Sequence, residues 1–472
     1  MSRRRSAGLL AVAVAGALAL AGCGSSPTPP AVAGGASAAH PVASTTASSR
    51  SAVPAQSDHI TVAPPSETGR PTEVAAGTTD PGAASAATSS TSSSPTTKPT
   101  TKPTTKPTTK SKPKPTPKSA TVTATPAFGS ATLNPAASAT VKVAGGRIST
   151  LAVYAEDGSK ITGAMSADKT SWTSTQRLRY GGSYHAVGTA SGQPGSAATK
   201  IDGSWATFSA GTQTTSISPG HGAKVGIAAP IIIRVGACVA DHAAVQKHVT
   251  VTTTPKVAVS GTWVQHDGDK CRSLDVRPKG FWPAGTKVHV AVDLLGVEVS
   301  DGLYGARAVA TSDFTIDRSL VTYANGKTHM ITVKKAGVTV ATYPTSMGRG
   351  DDVGDPRMTT RSGIHIVLEK DATKKMSNPK FHYKDLPEPW AVRISNNGEF
   401  IHQQMGTLDQ QGVSNQSHGC LNLSDVNAKA YFEMVEYGDP VVITGTSVQL
   451  SASDGDIYDW AIPWSQWTPI SA

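Results

Sequence analysis

Charged and aromatic side chains are scarce in this chain: 16% of its 472 residues are charged, 5% are aromatic and 38% are hydrophobic. Such a length has room for three or four domains, yet a sequence so thin in core-forming residues cannot bury all of itself. Part of it is therefore expected to stay unfolded. No apolar run reaches the roughly 20 residues that cross a bilayer as a helix, which excludes a multipass membrane protein. His-Glu-x-x-His and Cys-x-x-Cys are both missing, so no metal and no cofactor is expected. Cysteine is limited to Cys23, Cys238, Cys271 and Cys420. Acidic residues are the scarcer sign, 33 against 43 basic, and the net +10 suggests a nucleic-acid binder at first sight. Its distribution argues otherwise. Residues 1–120 hold 12 Lys/Arg against 4 Asp/Glu, leaving 31 against 29 for the remaining 352. The excess is N-terminal, and no nucleic-acid partner is expected.

What is present begins with an address. Arg3-Arg4-Arg5 and the short apolar segment 7–21 read as a secretory signal over 1–22 rather than a membrane span. The segment ends Leu20-Ala21-Gly22-Cys23, which resembles the lipobox of bacterial lipoproteins. The resemblance implies that Cys23 is lipidated and becomes the first mature residue, tethering an exported protein to the membrane. Residues 23–119 are Ser, Thr, Ala, Pro and Gly with a repeated Thr-Thr-Lys-Pro, and are expected to form a disordered, extended stalk.

From residue 121 short β-branched runs recur between Gly, Asp and Pro punctuation, as at 139–143, 150–154, 184–188, 230–235 and 287–292. This is the pattern of antiparallel sandwiches, read here as two immunoglobulin-like domains over 120–213 and 214–317. With Cys23 acylated, Cys238 and Cys271 share one β-module of an exported protein and are expected to pair. Cys420 is left without a partner.

The chain after residue 318 reads as a β-meander, with runs at 320–324, 328–334 and 338–343, then 391–395, 398–402 and 440–444. Ser424 is a good N-cap, and Ala428, Tyr431, Phe432 and Val435 form a helical stripe. Cys420 thus lies in a loop just before a short helix. A thiol attacks only as thiolate, so its pKa must be lowered by an imidazole or by aligned amides. His418 lies two residues away, pointing elsewhere, whereas His402 on the preceding strand can fold over the sulfur. Gly419 lets the backbone approach, so the amides of His418, Gly419 and Cys420 form a candidate oxyanion hole.

The stretch Ser417-His418-Gly419-Cys420-Leu421-Asn422-Leu423, with His402 18 residues upstream of Cys420, resembles the signature of the L,D-transpeptidase catalytic domain. The similarity runs over about 318–446 and includes Thr345-Ser346-Met347-Gly348 and Gly363-Ile364-His365, followed by a Trp-rich extension at 447–472. The β-modules and that tail also resemble actinobacterial, mycobacterial-type members. The fold expected is therefore mainly β: a stalk, two immunoglobulin-like sandwiches, then a β-rich catalytic domain with a short helix after Cys420.

The resemblance implies Cys420 as nucleophile and His402 as its base, with Ser417, His418, Gly419 and Asn422 in the signature. Where mycobacterial relatives place a Ser after the catalytic His, this chain has Gln403, whose backbone carbonyl can take the same orienting role. Tyr383 is the nearest match to a donor-site tyrosine. The activity implied is acyl transfer between peptidoglycan stem peptides, releasing D-Ala and forming 3→3 cross-links, with carbapenems acylating Cys420. Water as acceptor would make the enzyme an L,D-carboxypeptidase; a cysteine peptidase and a non-catalytic wall-binding protein are the rival classes. A monomer is expected, and the Trp-rich tail is expected to pack on the catalytic domain.

Overall fold

The computed structural model describes residues 116–454 and 457–470. The expected signal, Cys23 and the stalk as far as residue 115 lie outside them. Among the described residues no helix is long and apolar enough to cross a membrane.

Alternating burial builds two sandwiches. In the first, the sheet Thr121–Thr125, Thr140–Ala144, Ser171–Ser174, Gly163–Met165 faces the sheet Arg147–Ala155, Ser183–Ser191, Thr199–Ala206. Val141, Val143, Val153, Trp172, Leu178 and Trp205 point between them. In the second, Lys287–Val292 turns Val288, Val290 and Val292 inward while its intervening residues stay partly or fully exposed. Its partner sheet holds Ile231–Val235, whose first three isoleucines are all buried. Cys238 and Cys271 are joined by a disulfide closing a separation of 33 residues. Replacing both with serine is expected to cost about 3–4 kcal/mol, from loop-closure entropy returned to the unfolded chain. Paired thermal and denaturant unfolding curves check this. The two sandwiches are pinned together where the Arg177 guanidinium grips Asp293 (Nη2 to Oδ1 2.6 Å) and Tyr180 donates to the Gly305 carbonyl at 2.8 Å.

The C-terminal head is built from two sheets. Strands β1 (Leu320–Asn325), β2 (Met330–Lys335) and β3 (Val338–Pro344) form the expected meander. Three strands follow that the sequence pattern reveals poorly: β4 (Gly363–Ile366), β5 (Glu369–Asn378) and β6 (Tyr383–Arg393). Then come β7 (Phe400–Gln403), β8 (Leu421–Leu423), helix α1 (Asp425–Met434) and β9 (Pro440–Thr444). The first sheet runs β3-β2-β1-β9-β4 and the second β5-β6-β7-β8. The meander is not continued: β9 lies parallel to β1, and β8 parallel to β7. Parallel neighbours need a crossover: residues 404–420 connect β7 to β8, and α1 leads from β8 in the second sheet to β9 in the first. Ser424 caps α1 as expected, and Ala428 and Tyr431 are buried in the core with Ile331, Val333, Ile401, Leu421 and Ile443.

One expectation is corrected by the tail. Residues 447–454 do lie on the head, where Ser447 donates its N–H to Asp351 at 2.9 Å and Arg361 holds Asp454 at 3.1 Å. The Trp-rich remainder crosses to the second sandwich instead. Thr468–Pro469 pairs with Ser260–Val264, and Ile470 enters that sandwich's core. Trp460 and Trp467 each stack on the Arg277 guanidinium at 4.2 Å. Burial holds Arg277 down to about 10, opposed by Asp459. A cation this far out of water needs π-faces and carbonyls around it, and the tail provides them.

Candidate active site

The stretch 415–420 folds as it does because many of its polar groups are tied to the 345–349 segment, to Gly326 and Thr360, and to one another. Asn415 accepts from the Met347 N–H at 3.1 Å and donates to the Gly326 carbonyl at 3.0 Å. Ser417 N–H donates to the Met347 carbonyl at 2.9 Å, and Arg349 N–H to the Ser417 carbonyl at 3.0 Å. Thr360 bridges the two segments, accepting from Gly348 N–H at 2.9 Å and donating to the Gly419 carbonyl at 2.8 Å. A Cβ on Gly348 would stand 2.2 Å from the Met358 carbonyl oxygen and 3.0 Å from the Gly419 Cα. Only glycine permits that approach. Gly419 itself sits at φ +131°, a conformation that side chains with a Cβ rarely adopt.

This frame presents Cys420, partly exposed, just ahead of β8 rather than directly before the helix. It is the one free cysteine among the described residues. Parallel pairing of β7 with β8 sets Ile401 opposite Leu421 and His402 opposite Asn422. His402 is 4% exposed, and the Cys420 thiol beside it favours its charged form. Its Nδ1 donates to the Gln403 carbonyl at 2.7 Å, which leaves Nε2 for the sulfur. Burial alone would lower the imidazole's pKa, but the Cys420 and Glu388 side chains outweigh it and lift His402 to about 10.

The other anticipated residues divide. Tyr383 and His418 line the cleft, their rings 6.0 Å apart, and His418 tilts against Phe381 at 4.5 Å, away from the role of base. Burial, aided by the Arg349 charge, keeps the His418 imidazole below its usual range. Burial, with the Cys420 and Glu388 charges beside it, pushes the Tyr383 hydroxyl up. Ser417 and Asn422 also line the cleft, but their side chains are in use. Ser417 Oγ donates to the Cys420 carbonyl at 2.6 Å, and Asn422 Nδ2 donates to Thr407 Oγ1 at 3.2 Å. Gly419 is a correction. Its N–H donates to Ser417 Oγ at 3.1 Å, so it is not free to hold an oxyanion. The amides of His418 and Cys420 remain.

Sequence reasoning missed Glu388, whose Oε2 lies 3.2 Å from His402 Nδ1, and the buried pair Arg361 and Glu399 at the cleft floor. Glu399 accepts from Arg361 N–H at 2.8 Å and Ser395 Oγ at 2.9 Å, and burial pushes its carboxyl up against the pull of His365. His365 faces this floor through the Arg361 carbonyl at 2.9 Å and not the thiol. The cleft encloses about 810 Å³. Arg357, Arg361, Lys374, Lys375, Lys380 and Arg393 line it, against the two carboxylates Glu388 and Glu399. Such a surface attracts acidic ligands.

Two regions of the chain match known families. Residues 130–298 match the bacterial Ig domain, a family distinct from that of the C-terminal head. Residues 320–443 match the L,D-transpeptidase catalytic domain. The chain is 40% identical over 348 residues to L,D-transpeptidase 5 of Mycobacterium tuberculosis, covering 74% of this chain and 76% of that one. It is 32% identical over 342 residues to L,D-transpeptidase 2 of Mycobacterium tuberculosis, covering 70% and 80%. The chain belongs to the L,D-transpeptidase family, as its signature residues imply, and is a peptidoglycan transpeptidase.

Proposed function

We propose that Cys420 and His402 carry a two-step acyl transfer that makes 3→3 cross-links between peptidoglycan stems. The observation that carries the reading is the free thiol in a basic cleft, beside a buried imidazole whose far nitrogen is tethered by the Gln403 carbonyl. The Cys420 thiolate attacks the carbonyl of the third residue of a tetrapeptide stem. The amides of His418 and Cys420 receive the oxyanion. The bond to the terminal D-Ala breaks, and the His402 imidazolium protonates the departing amine. A side-chain amine of a second stem then attacks the thioester, His402 takes its proton, and the Cys420 thiolate is regenerated. The cationic lining suits the stem's carboxylates, and Tyr383, which lines the same cleft, is read as a donor-site residue. Carbapenems, as acylating analogues of the donor, would load the same sulfur.

In this reading the chain is exported by a signal at 1–22, anchored to the membrane through Cys23 and raised on the stalk 23–119. The domains at 120–213 and 214–317 carry the head 318–446, closed by the extension 447–472, and the protein works as a monomer. Incubating the purified protein with disaccharide-tetrapeptide and weighing the products tests the chemistry. Loss of D-Ala with a cross-linked dimer is expected. Tripeptide alone would mean a carboxypeptidase, and unchanged substrate would sink the proposal.

A further inference from the structure

The carboxylate of Glu388 has no role in the chemistry as written so far, yet it is aimed at the back of the imidazole. Its Oε2 stands 3.2 Å from His402 Nδ1, the atom that also donates to the Gln403 carbonyl at 2.7 Å. One N–H is thus shared between a neutral and a charged acceptor. The side chain of Glu388 is 12% exposed and that of His402 5%, so the contact is poorly screened by water.

Glu388 is also held in place. Gln404 Nε2 donates to its other oxygen, Oε1, at 3.2 Å. Pro387 and Pro389 flank it on β6 and fix the backbone φ on either side. The cation placed to compete for it is diverted: Lys374 is opposite Glu388 in the β5–β6 register, but its ammonium pairs with Glu369 at 3.1 Å and Asp371 at 2.7 Å. Among the described residues, the ion pair with His402 is the one that Glu388 makes.

We propose that Glu388 is a positioning residue that, with the Gln403 carbonyl, fixes the Nδ1–H tautomer of His402 and stabilises its imidazolium beside the Cys420 thiolate. The inference rests on Cys420 and His402 working as a pair. The carbonyl sets ring orientation, and the carboxylate adds the charge that a carbonyl lacks. The other titratable groups around this pair are Tyr383 on the same strand, Lys374 and Lys375 on the neighbouring β5, and His418 and Glu399 in the cleft lining. None of them supplies a negative charge at Nδ1. The lift of His402 against its own burial agrees with this arrangement.

The test is the rate of Cys420 alkylation by iodoacetamide across pH on the folded, full chain, for wild type, Glu388→Gln and Glu388→Asp, with D-Ala release measured alongside. Alkylation reads thiolate directly and needs no natural substrate. In Glu388→Gln alkylation at neutral pH should be several-fold slower, because less of the pair is held as thiolate and imidazolium rather than thiol and imidazole. The alkaline limb of D-Ala release should move down, because the imidazolium is lost earlier. Glu388→Asp should recover part of both effects. An alkaline limb that stays in place, whether turnover is unchanged or uniformly reduced, would overturn the inference, since lost packing lowers rates without moving it. A wild-type alkylation limb near the ordinary thiol pKa of about 8.5 would instead overturn the Cys420–His402 pair itself.

Discussion

Cys420→Ala should reduce D-Ala release and dimer formation by at least roughly 10,000-fold, leaving only what binding and the oxyanion amides contribute. The chemistry has one nucleophile, so no neighbour can substitute for it. Cys420→Ser should be nearly as inactive, because a hydroxyl beside His402 stays un-ionised where a thiol does not. Folding should be spared. The sulfur is partly exposed and donates only a long hydrogen bond to the Gly398 carbonyl, 3.6 Å away. A change in unfolding free energy within about 0.5 kcal/mol is expected by thermal melting. Intact-protein mass spectrometry should show a carbapenem adduct on wild type and none on either variant. An adduct on Cys420→Ala would place the nucleophile elsewhere.

His402→Gln should slow the same reaction by about 100- to 10,000-fold, the usual worth of a placed acid–base group. The variant also predicts a pH signature whose sign follows from the imidazole's position. Burial opposes its charge, but Cys420 and Glu388 prevail and raise it from 6.5 to about 10. The imidazolium that protonates the departing amine is therefore present through neutrality and lost as pH rises through about 10. Wild-type D-Ala release should fall along that alkaline limb, and His402→Gln should lack the limb. A group raised on folding stabilises the native state fully below its unfolded pKa and gives up that stability as pH passes the folded one. Wild type should lose melting temperature between about pH 6.5 and 10 relative to His402→Gln. Matched melting curves at both ends of that window measure the difference.

Much of the molecule is written locally, and those parts were legible. The strand Pro440–Thr444 and the helix after Ser424 follow from an apolar run and a cap. Cys420 and His402 stand out because an unpaired thiol in a chain expected to be exported needs a reason and because the signature is contiguous. The hairpin of β5 and β6 was not legible. Its residues are mostly exposed or half-exposed over much of their length, so no alternation marks them as strand, and Pro387 and Pro389 argue against one. Glu388 was hidden with it. Fourteen residues separate Glu388 from His402 in the chain. Only the β6–β7 pairing of Val392 with Ile401 and Arg393 with Phe400 brings them together. The Gly419 amide was misjudged for a similar reason, since a glycine in a motif reveals permissive backbone but not which acceptor its N–H finds. For the tail, three tryptophans announce burial without saying against what, and the buried Arg277 that receives them lies in a different sandwich.

The crossing of that tail changes how the head is connected. The chain leaves the second sandwich after Ala310–Ile316, builds the head, and returns to add Thr468–Pro469 beside Ser260–Val264. The sandwich is a discontinuous domain, and the head is an insertion between two of its strands. A body hung on one linker can pivot about it; one held by an outgoing and a returning segment cannot turn without peeling a strand from its host. Were Cys420 acylated, as proposed, by a stem still joined to the wall, tension on that stem would divide between two attachments instead of loading one. The returning strand also follows the whole head in the chain, so the second sandwich gains its outermost strand only after the head has been made.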